Sequence, residues 1–309
     1  MATLHDIERR IASVESTRQI THTMEMVSRT KIRRAQRKVD AATPYAYSME
    51  ELLGNLSIMG KTTARLPHDE VRTTLIVCIV SDRGLAGGFN ANVLRRAEQI
   101  MKEREAQDQN VQIAVCGKKG ISYFKFRGVK PIMAFRDLSA DPRVEEAEAL
   151  ADYAQESYLS GKVDKVICLF NHVKNAAEQE LTEDYVVPIN LEHFVPDEYW
   201  PSLKKAITET DDDPNYSEGM IEFEPDETTV LDNLLPEYLS GYFFYALIDS
   251  ASAEQSARHM AMKNATENAD DMIDSLKQQH NRIRQGAITT EINEIVSGAD
   301  CADMGAQES

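Results

Sequence analysis

The sequence predicts an α/β protein laid out as long helix, α/β domain, long helix, with the terminal helices paired antiparallel. Three observations predict it. Apolar residues recur at three-four spacing near both ends, as in Leu4, Ile7, Ile11 and Val14. Proline and glycine are nearly absent from those ends. Between them, short β-branched runs alternate with amphipathic stretches, the texture of a parallel sheet covered on both faces.

The first helix occupies about residues 1–60, interrupted only by Pro44 and Gly54. Its frame resumes at Ile32, Ala35, Val39, Ala42, Met49, Leu53 and Leu56. Between the two stretches the frame positions are Arg18, Thr21, Glu25 and Ser28, whereas Ile20, Met24 and Val27 are apolar on a neighbouring face. The stripe is therefore expected to rotate by about one residue and return, as in a coiled coil whose partner changes midway. Such a helix would be roughly 80 Å long, too long for a compact domain.

The α/β domain spans about 70–225. "TTLIVCIV" (Thr73–Val80), "VQIAVCG" (Val111–Gly117) and "VDKVICLFN" (Val163–Asn171) read as buried strands, with helices near 91–105, 119–126 and 143–160. "LTEDYVVPI" and "MIEFEP" read as edge strands, and the acidic "TETDDDPNYSEG" between them as a solvated loop.

The last helix occupies about 226–298, followed by a polar tail, 299–309. Pro236 falls in an early turn or a kink, and Ala- and Ser-rich positions around 246–269 allow close approach of another helix. His259, Met262, Thr266, Ala269, Ile273, Leu276, His280, Ile283 and Ala287 again recur at three-four spacing. Neither helix buries its stripe alone, and the intervening domain makes their pairing antiparallel.

Composition narrows the function. With 309 residues, 42% hydrophobic and 28% charged, the chain reads as soluble, without a spanning run or an apolar leader. The net charge of −17 argues against a dedicated nucleic-acid binder. It is unevenly spread: Arg29–Lys38 holds six basic residues in ten, and Asp197–Glu227 eleven acidic residues against two lysines. Cys78, Cys116 and Cys168 sit in apolar runs and Cys301 far from them, which reads as buried small hydrophobes in a reducing compartment.

The glycine-rich "SDRGLAGGFN" (Ser81–Asn90) follows the first strand and precedes a helix, where a phosphate cradle would begin. It matches neither G-x-G-x-x-G nor G-x-x-x-x-G-K-[ST], and Phe89 and Asn90 stand where lysine and a hydroxyl would follow. It reads as a tight connection whose glycines take positive φ and whose Asn90 caps the next helix. Asp82 and Arg83 are placed to pair with each other or a neighbour. His5, His22, His68, His172, His193, His259 and His280 lack metal-ligand spacing, and no G-x-S-x-G elbow occurs. No cofactor, metal or catalytic constellation is expected.

Five stretches together carry a family resemblance: "RRIASVESTRQITHTMEMVSRTKIRRAQ", "SDRGLAGGFN", "EFEPDETTVLDNLLPEYL", "SASAEQSARHMAMKNATENADDMID" and "NRIRQGAITTEINEIVSGA". In order and across nearly the whole chain they resemble the γ subunit of bacterial-type F-type ATP synthases. The resemblance implies a long antiparallel coiled coil of the N- and C-terminal helices plus a Rossmann-like α/β domain at its foot. It implies a non-catalytic rotor shaft: the coiled coil enters the hexamer of α and β subunits, and the foot joins the ε subunit and the c-ring. The chain would then be peripheral, at the cytoplasmic face of the cell membrane, coupling proton or sodium flow to ATP synthesis and hydrolysis.

By the same resemblance Met24, Glu25, Met26 and Val27 face acidic lever segments of the β subunits, while Arg284, Gln285, Thr289 and Glu291 face their catch loops. The basic run Arg29–Lys38 would be a surface for acidic partners. Many relatives have a lysine just before the first methionine, where this chain has His22 and Thr23, and many are basic where this one is acidic. No cysteine-bearing insertion is present and Ala86 stands where some relatives have cysteine, so thiol regulation is not expected. The competing reading is a nucleotide-binding α/β protein with helical oligomerisation arms.

Overall fold

The computed structural model describes residues 3–58, 71–138, 141–175, 178–188 and 227–307. "MIEFEP" and the acidic loop before it lie outside the described residues. Ten elements follow one another: α1 (Leu4–Ile58), β1 (Thr73–Ile79), α2 (Phe89–Glu105), β2 (Asn110–Cys116), α3 (Lys118–Phe126), β3 (Met133–Phe135), α4 (Val144–Leu159), β4 (Lys165–Val173), β5 (Gln179–Val187) and α5 (Glu227–Gln307). α5 is one helix of 81 residues with Pro236 inside it, and it continues to Gln307 where a polar tail from 299 is expected.

The sheet order is β3-β2-β1-β4-β5, parallel except for the antiparallel β4–β5 pair. β1 is central, with Leu75 beside Gln112 of β2 and Val166 of β4. Its alternation sorts side chains to two faces. Leu75, Val77 and Ile79 join a core with Leu150, Ala154, Leu239, Phe243 and Leu247, so α4 and α5 cover that face. Ile76, Cys78 and Val80 join Val93, Ala97, Ile100 and Phe124, so α2 and α3 cover the other. Two-sided burial is why β1 and β4 read as unbroken apolar runs. Asp164, 7% exposed, accepts hydrogen bonds from the backbone N–H of Arg72 and of Thr73, both at 2.8 Å, which fixes the start of β1. β3, three residues long, has no counterpart in the predicted strands.

Contacts divide the chain into Met1–Val27 with His259–Ser309, and Ser28–Arg258, so each terminal helix contributes to both units. In the first unit the two helices run antiparallel. Glu8 meets His280 at 3.2 Å, Arg18 pairs with Asp270, Thr21 bonds Thr266 at 2.8 Å, and His259 Nδ1 lies 3.4 Å from the Glu25 carbonyl. As one number rises from 8 to 25, its partner falls from 280 to 259. Ile7, Met262, Ala269 and Ile273 are buried along this seam.

The stripe of α1 does not rotate. Thr21 and Ser28 stay in the buried frame at 8% and 1% exposure, while Ile20, Met26 and Val27 are 58%, 61% and 49% exposed. Small hydroxyl side chains keep the original frame because they permit a close seam and satisfy themselves locally, as Thr21 does on the Arg18 carbonyl at 3.0 Å.

Candidate functional site

In a parallel sheet of this order, ligands bind outside the carboxyl ends of the strands where the chain switches faces, here between β1 and β4. The glycine turn lies at that point. Gly87 and Leu85 take positive φ, at 56° and 65°, whereas Gly88 has φ −79° and is the N-cap of α2. Asn90 does not cap the helix: it sits inside the first turn of α2, its Oδ1 accepting the Ser81 N–H at 2.8 Å. The crevice is filled by α5, whose Ala253 and Ala257 pack on Ala86 and Phe89. Arg258 donates to the Gly84 carbonyl at 3.3 Å and to Glu254 at 2.5 Å, with both charged side chains buried.

The other phosphate-like position, the N-terminus of α3, is occupied by a carboxylate of the chain itself. Asp82 Oδ1 accepts the Lys118 N–H at 2.9 Å and the Asp137 N–H at 3.0 Å. An anion belongs there because the first-turn amides are unpaired and the helix dipole is positive. Asp82 therefore braces two loops. Gly117 precedes α3 with φ 112°, and a Cβ there would lie 2.1 Å from the Val80 carbonyl oxygen.

Burial suppresses thiol chemistry. It pushes the Cys78 thiol up to about 12 and raises those of Cys116 and Cys168 as well. Among the described residues the one buried acid–histidine contact is that of Asp249, 2% exposed, whose Oδ2 lies 2.7 Å from His172 Nδ1. Burial raises its carboxyl above the ordinary range, the His172 hydrogen bond opposing that shift. Among the described residues no three His, Cys, Asp or Glu side chains are grouped to hold a metal. Among them, too, no helix is long and apolar enough to cross a membrane.

The eight residues expected from the resemblance to face a partner fall on two separate stretches. Met24 and Glu25 are half-buried, while Met26 and Val27 point outward. Glu25 uses its backbone carbonyl on the seam, and its carboxylate lies 3.5 Å from His22. Arg284, Gln285, Thr289 and Glu291 are all exposed, with the Thr289 hydroxyl bonded to the Gln285 carbonyl at 2.8 Å. The level of Glu25 on α5 is His259, so the second stretch begins about 38 Å further along the helix. The two do not form one site. Two apolar residues not singled out by the sequence, Ile288 and Ile292, stand 48% and 54% exposed beside the second stretch. Their i,i+4 spacing off the seam frame is the signal that could have found them.

The fold defines a class: a two-helix antiparallel coiled coil joined to a Rossmann-like α/β domain whose crevice is filled by its own helix. Residues 3–301 match the family described as ATP synthase. The ATP synthase gamma chain of Chlorobium phaeobacteroides (strain BS1) is 38% identical over 306 residues, covering 97% of this chain and 98% of that one. That of Anaeromyxobacter sp. (strain Fw109-5) is 39% identical over 306 residues, with 97% and 99% covered. The rotor of Euglena gracilis mitochondrial ATP synthase shares the fold at TM-score 0.63 and 17% identity, over 92% of this chain and 98% of that one. The central stalk of the Tetrahymena thermophila enzyme does so at TM-score 0.58 and 22% identity, over 80% and 99%. The chain belongs to the ATP synthase gamma chain family. Its role is that of the γ subunit.

Proposed function

We propose that this chain is the rotating central shaft of an F-type ATP synthase, coupling proton or sodium flow through the c-ring to ATP synthesis and hydrolysis on the β subunits. The coiled coil stands within the hexamer of α and β subunits. The α/β domain meets the ε subunit and the c-ring at the cytoplasmic face of the cell membrane, so the chain is peripheral. The shaft itself does no catalysis; the α5 side chains in the switch-point crevice and Asp82 on the α3 N-terminus favour this reading.

The observation that carries the proposal is the unequal reach of the paired helices. Among the described residues α1 begins at Leu4, level with the half-buried Ile283, and α5 extends on to Gln307 without a facing helix. A lone helix extending from a two-helix seam has different faces in different directions, so each β subunit around it meets different side chains. Turning the shaft exchanges those contacts and shifts each β subunit among its states by differential contact energy. Reversing a two-state population from 1:99 to 99:1 takes about 5.5 kcal/mol. Burying one large apolar side chain yields roughly 1.5–3 kcal/mol, so about two to four of Ile20, Met26, Val27, Ile288 and Ile292 suffice.

Met26→Asp combined with Val27→Asp tests the contact. Both positions are exposed, so the thermal unfolding of the chain is expected to be unchanged. In an enzyme reconstituted with α and β subunits, ATP hydrolysis is expected to lose its dependence on the shaft. Full retention of coupled hydrolysis by the double variant contradicts the assignment.

A further inference from the structure

The basic run Arg29–Lys38 serves two faces of α1. Lys31, Arg34 and Lys38, at three- and four-residue spacing, line a cavity of about 380 Å³ with Asp141 and Gln255, whereas Arg29, Arg33 and Arg37 do not. At about 30 Å³ per water, that space holds about a dozen waters, ample for a small oxyanion. All the lining residues belong to Ser28–Arg258.

Three features separate this cavity from an ordinary solvated groove. Its cations outnumber its carboxylates: Asp141 pairs with Lys38, and among the described residues Lys31 and Arg34 have no carboxylate partner. The field is positive enough that Lys38, with Arg34 and Arg143, holds the Asp141 carboxyl below the usual range. The local sign also opposes a chain of net charge −17, so it is a local feature and not the general field. Finally, Gln255 is only 6% exposed, yet its Oε1 is buried without a hydrogen-bond partner. An amide oxygen in that position needs a donor, and the cations beside it call for an anion. An anion that carries its own O–H meets both needs.

We propose that this cavity binds free monohydrogen phosphate. Lys31 and Arg34 neutralise its charge, and Gln255 Oε1 accepts its P–OH proton. Sulfate has the same shape and no such proton at neutral pH, so the site prefers phosphate.

Calorimetric titration of the purified full chain at pH 7 and constant ionic strength tests this, with inorganic phosphate, glycerol phosphate and sulfate as probes. Phosphate is expected to saturate one site per chain and to bind about tenfold more tightly than sulfate, the order of one hydrogen bond to a charged group. Arg34→Gln is expected to weaken phosphate about tenfold, and Arg33→Gln, on the other face, to leave it unchanged. Gln255→Met, close in volume, is expected to erase the preference over sulfate. Glycerol phosphate, whose ester phosphate has a second pKa of about 6 and is mostly without a P–OH proton at pH 7, is expected to bind more weakly than orthophosphate, and tighter binding of the ester overturns the proposal. Circular dichroism verifies each fold, and if Gln255→Met does not fold, the Arg34 and Arg33 pair still decides. Absence of saturable phosphate binding, equal affinity for phosphate and sulfate, or equal weakening by Arg33→Gln overturns the proposal.

Discussion

Thr21 and Thr266, 245 residues apart in sequence, bond hydroxyl to hydroxyl at 2.8 Å, each buried on the seam between the two terminal helices. Each also reaches a carbonyl of its own helix: Thr21 that of Arg18 at 3.0 Å, Thr266 that of Met262 at 2.9 Å. Two hydroxyl protons serve three contacts, so one acceptor always goes short. The pair thus fixes the register of the seam more than it strengthens it.

From this follows a double-mutant cycle. Thr21→Val or Thr266→Val alone is expected to lower stability by about 1 kcal/mol, because the remaining hydroxyl loses its buried partner. The double variant is expected to cost less than the two together, with a coupling of about 0.5–1 kcal/mol in denaturant titrations of the full chain. Strict additivity would mean that the hydroxyls do not meet.

Gly117 has no tolerable substitute. Its φ of 112° is unfavourable to any side chain, and an added Cβ would meet the Val80 carbonyl oxygen at 2.1 Å. Because the Val80 carbonyl belongs to the backbone directly after β1, relief requires moving the sheet. Gly117→Ala is expected to cost more than about 3 kcal/mol, read as loss of the cooperative unfolding transition or a large fall in its midpoint. A midpoint within error of the parent would contradict this geometry. The contrast is Gly128→Ala, where φ is 75° but nothing lies within 4 Å, and a smaller loss is expected.

Asp249 makes stability depend on pH. Burial raises its carboxyl above the ordinary 3.8, so the folded chain holds this proton more tightly than the unfolded chain. Its contribution is therefore most favourable below 3.8 and is lost as pH rises through the raised folded value. Relative to the parent, Asp249→Asn is expected to gain stability from acid to neutral pH, in parallel denaturant titrations. A relative loss over that interval would place the His172 hydrogen bond above desolvation and reverse the sign.

Much of this was legible in the sequence because it rests on repeated, one-sided burial. β1 and β4 announce themselves as unbroken β-branched runs, since helices cover both faces, and the 259–283 seam keeps the spacing read from His259 to Ile283. What escaped has local causes. β3 is too short to carry a period. The seam at Thr21 and Ser28 reads as polar, so Ile20, Met24 and Val27 read as its continuation, although Ile20 and Val27 face outward and Met24 is half-buried. Asn90 was misplaced because capping and bridging draw on the same residue type, and only the distance to Ser81 separates them. The buried Asp249, Glu254 and Arg258 were invisible: a charged residue on a long helix reads as solvated, and their burial depends on strands and turns far away in sequence.

The central claim, that this chain is an axle that turns, is tested most directly by watching it. Phe126, 88% exposed at the end of α3, offers a point for attaching a bead as Phe126→Cys, with Cys301→Ser leaving only the buried Cys78, Cys116 and Cys168 besides. In a complex of the labelled chain with surface-fixed α and β subunits, ATP is expected to drive stepwise rotation of the bead in one direction. A bead that only fluctuates about a fixed angle while the same complex hydrolyses ATP would contradict the account.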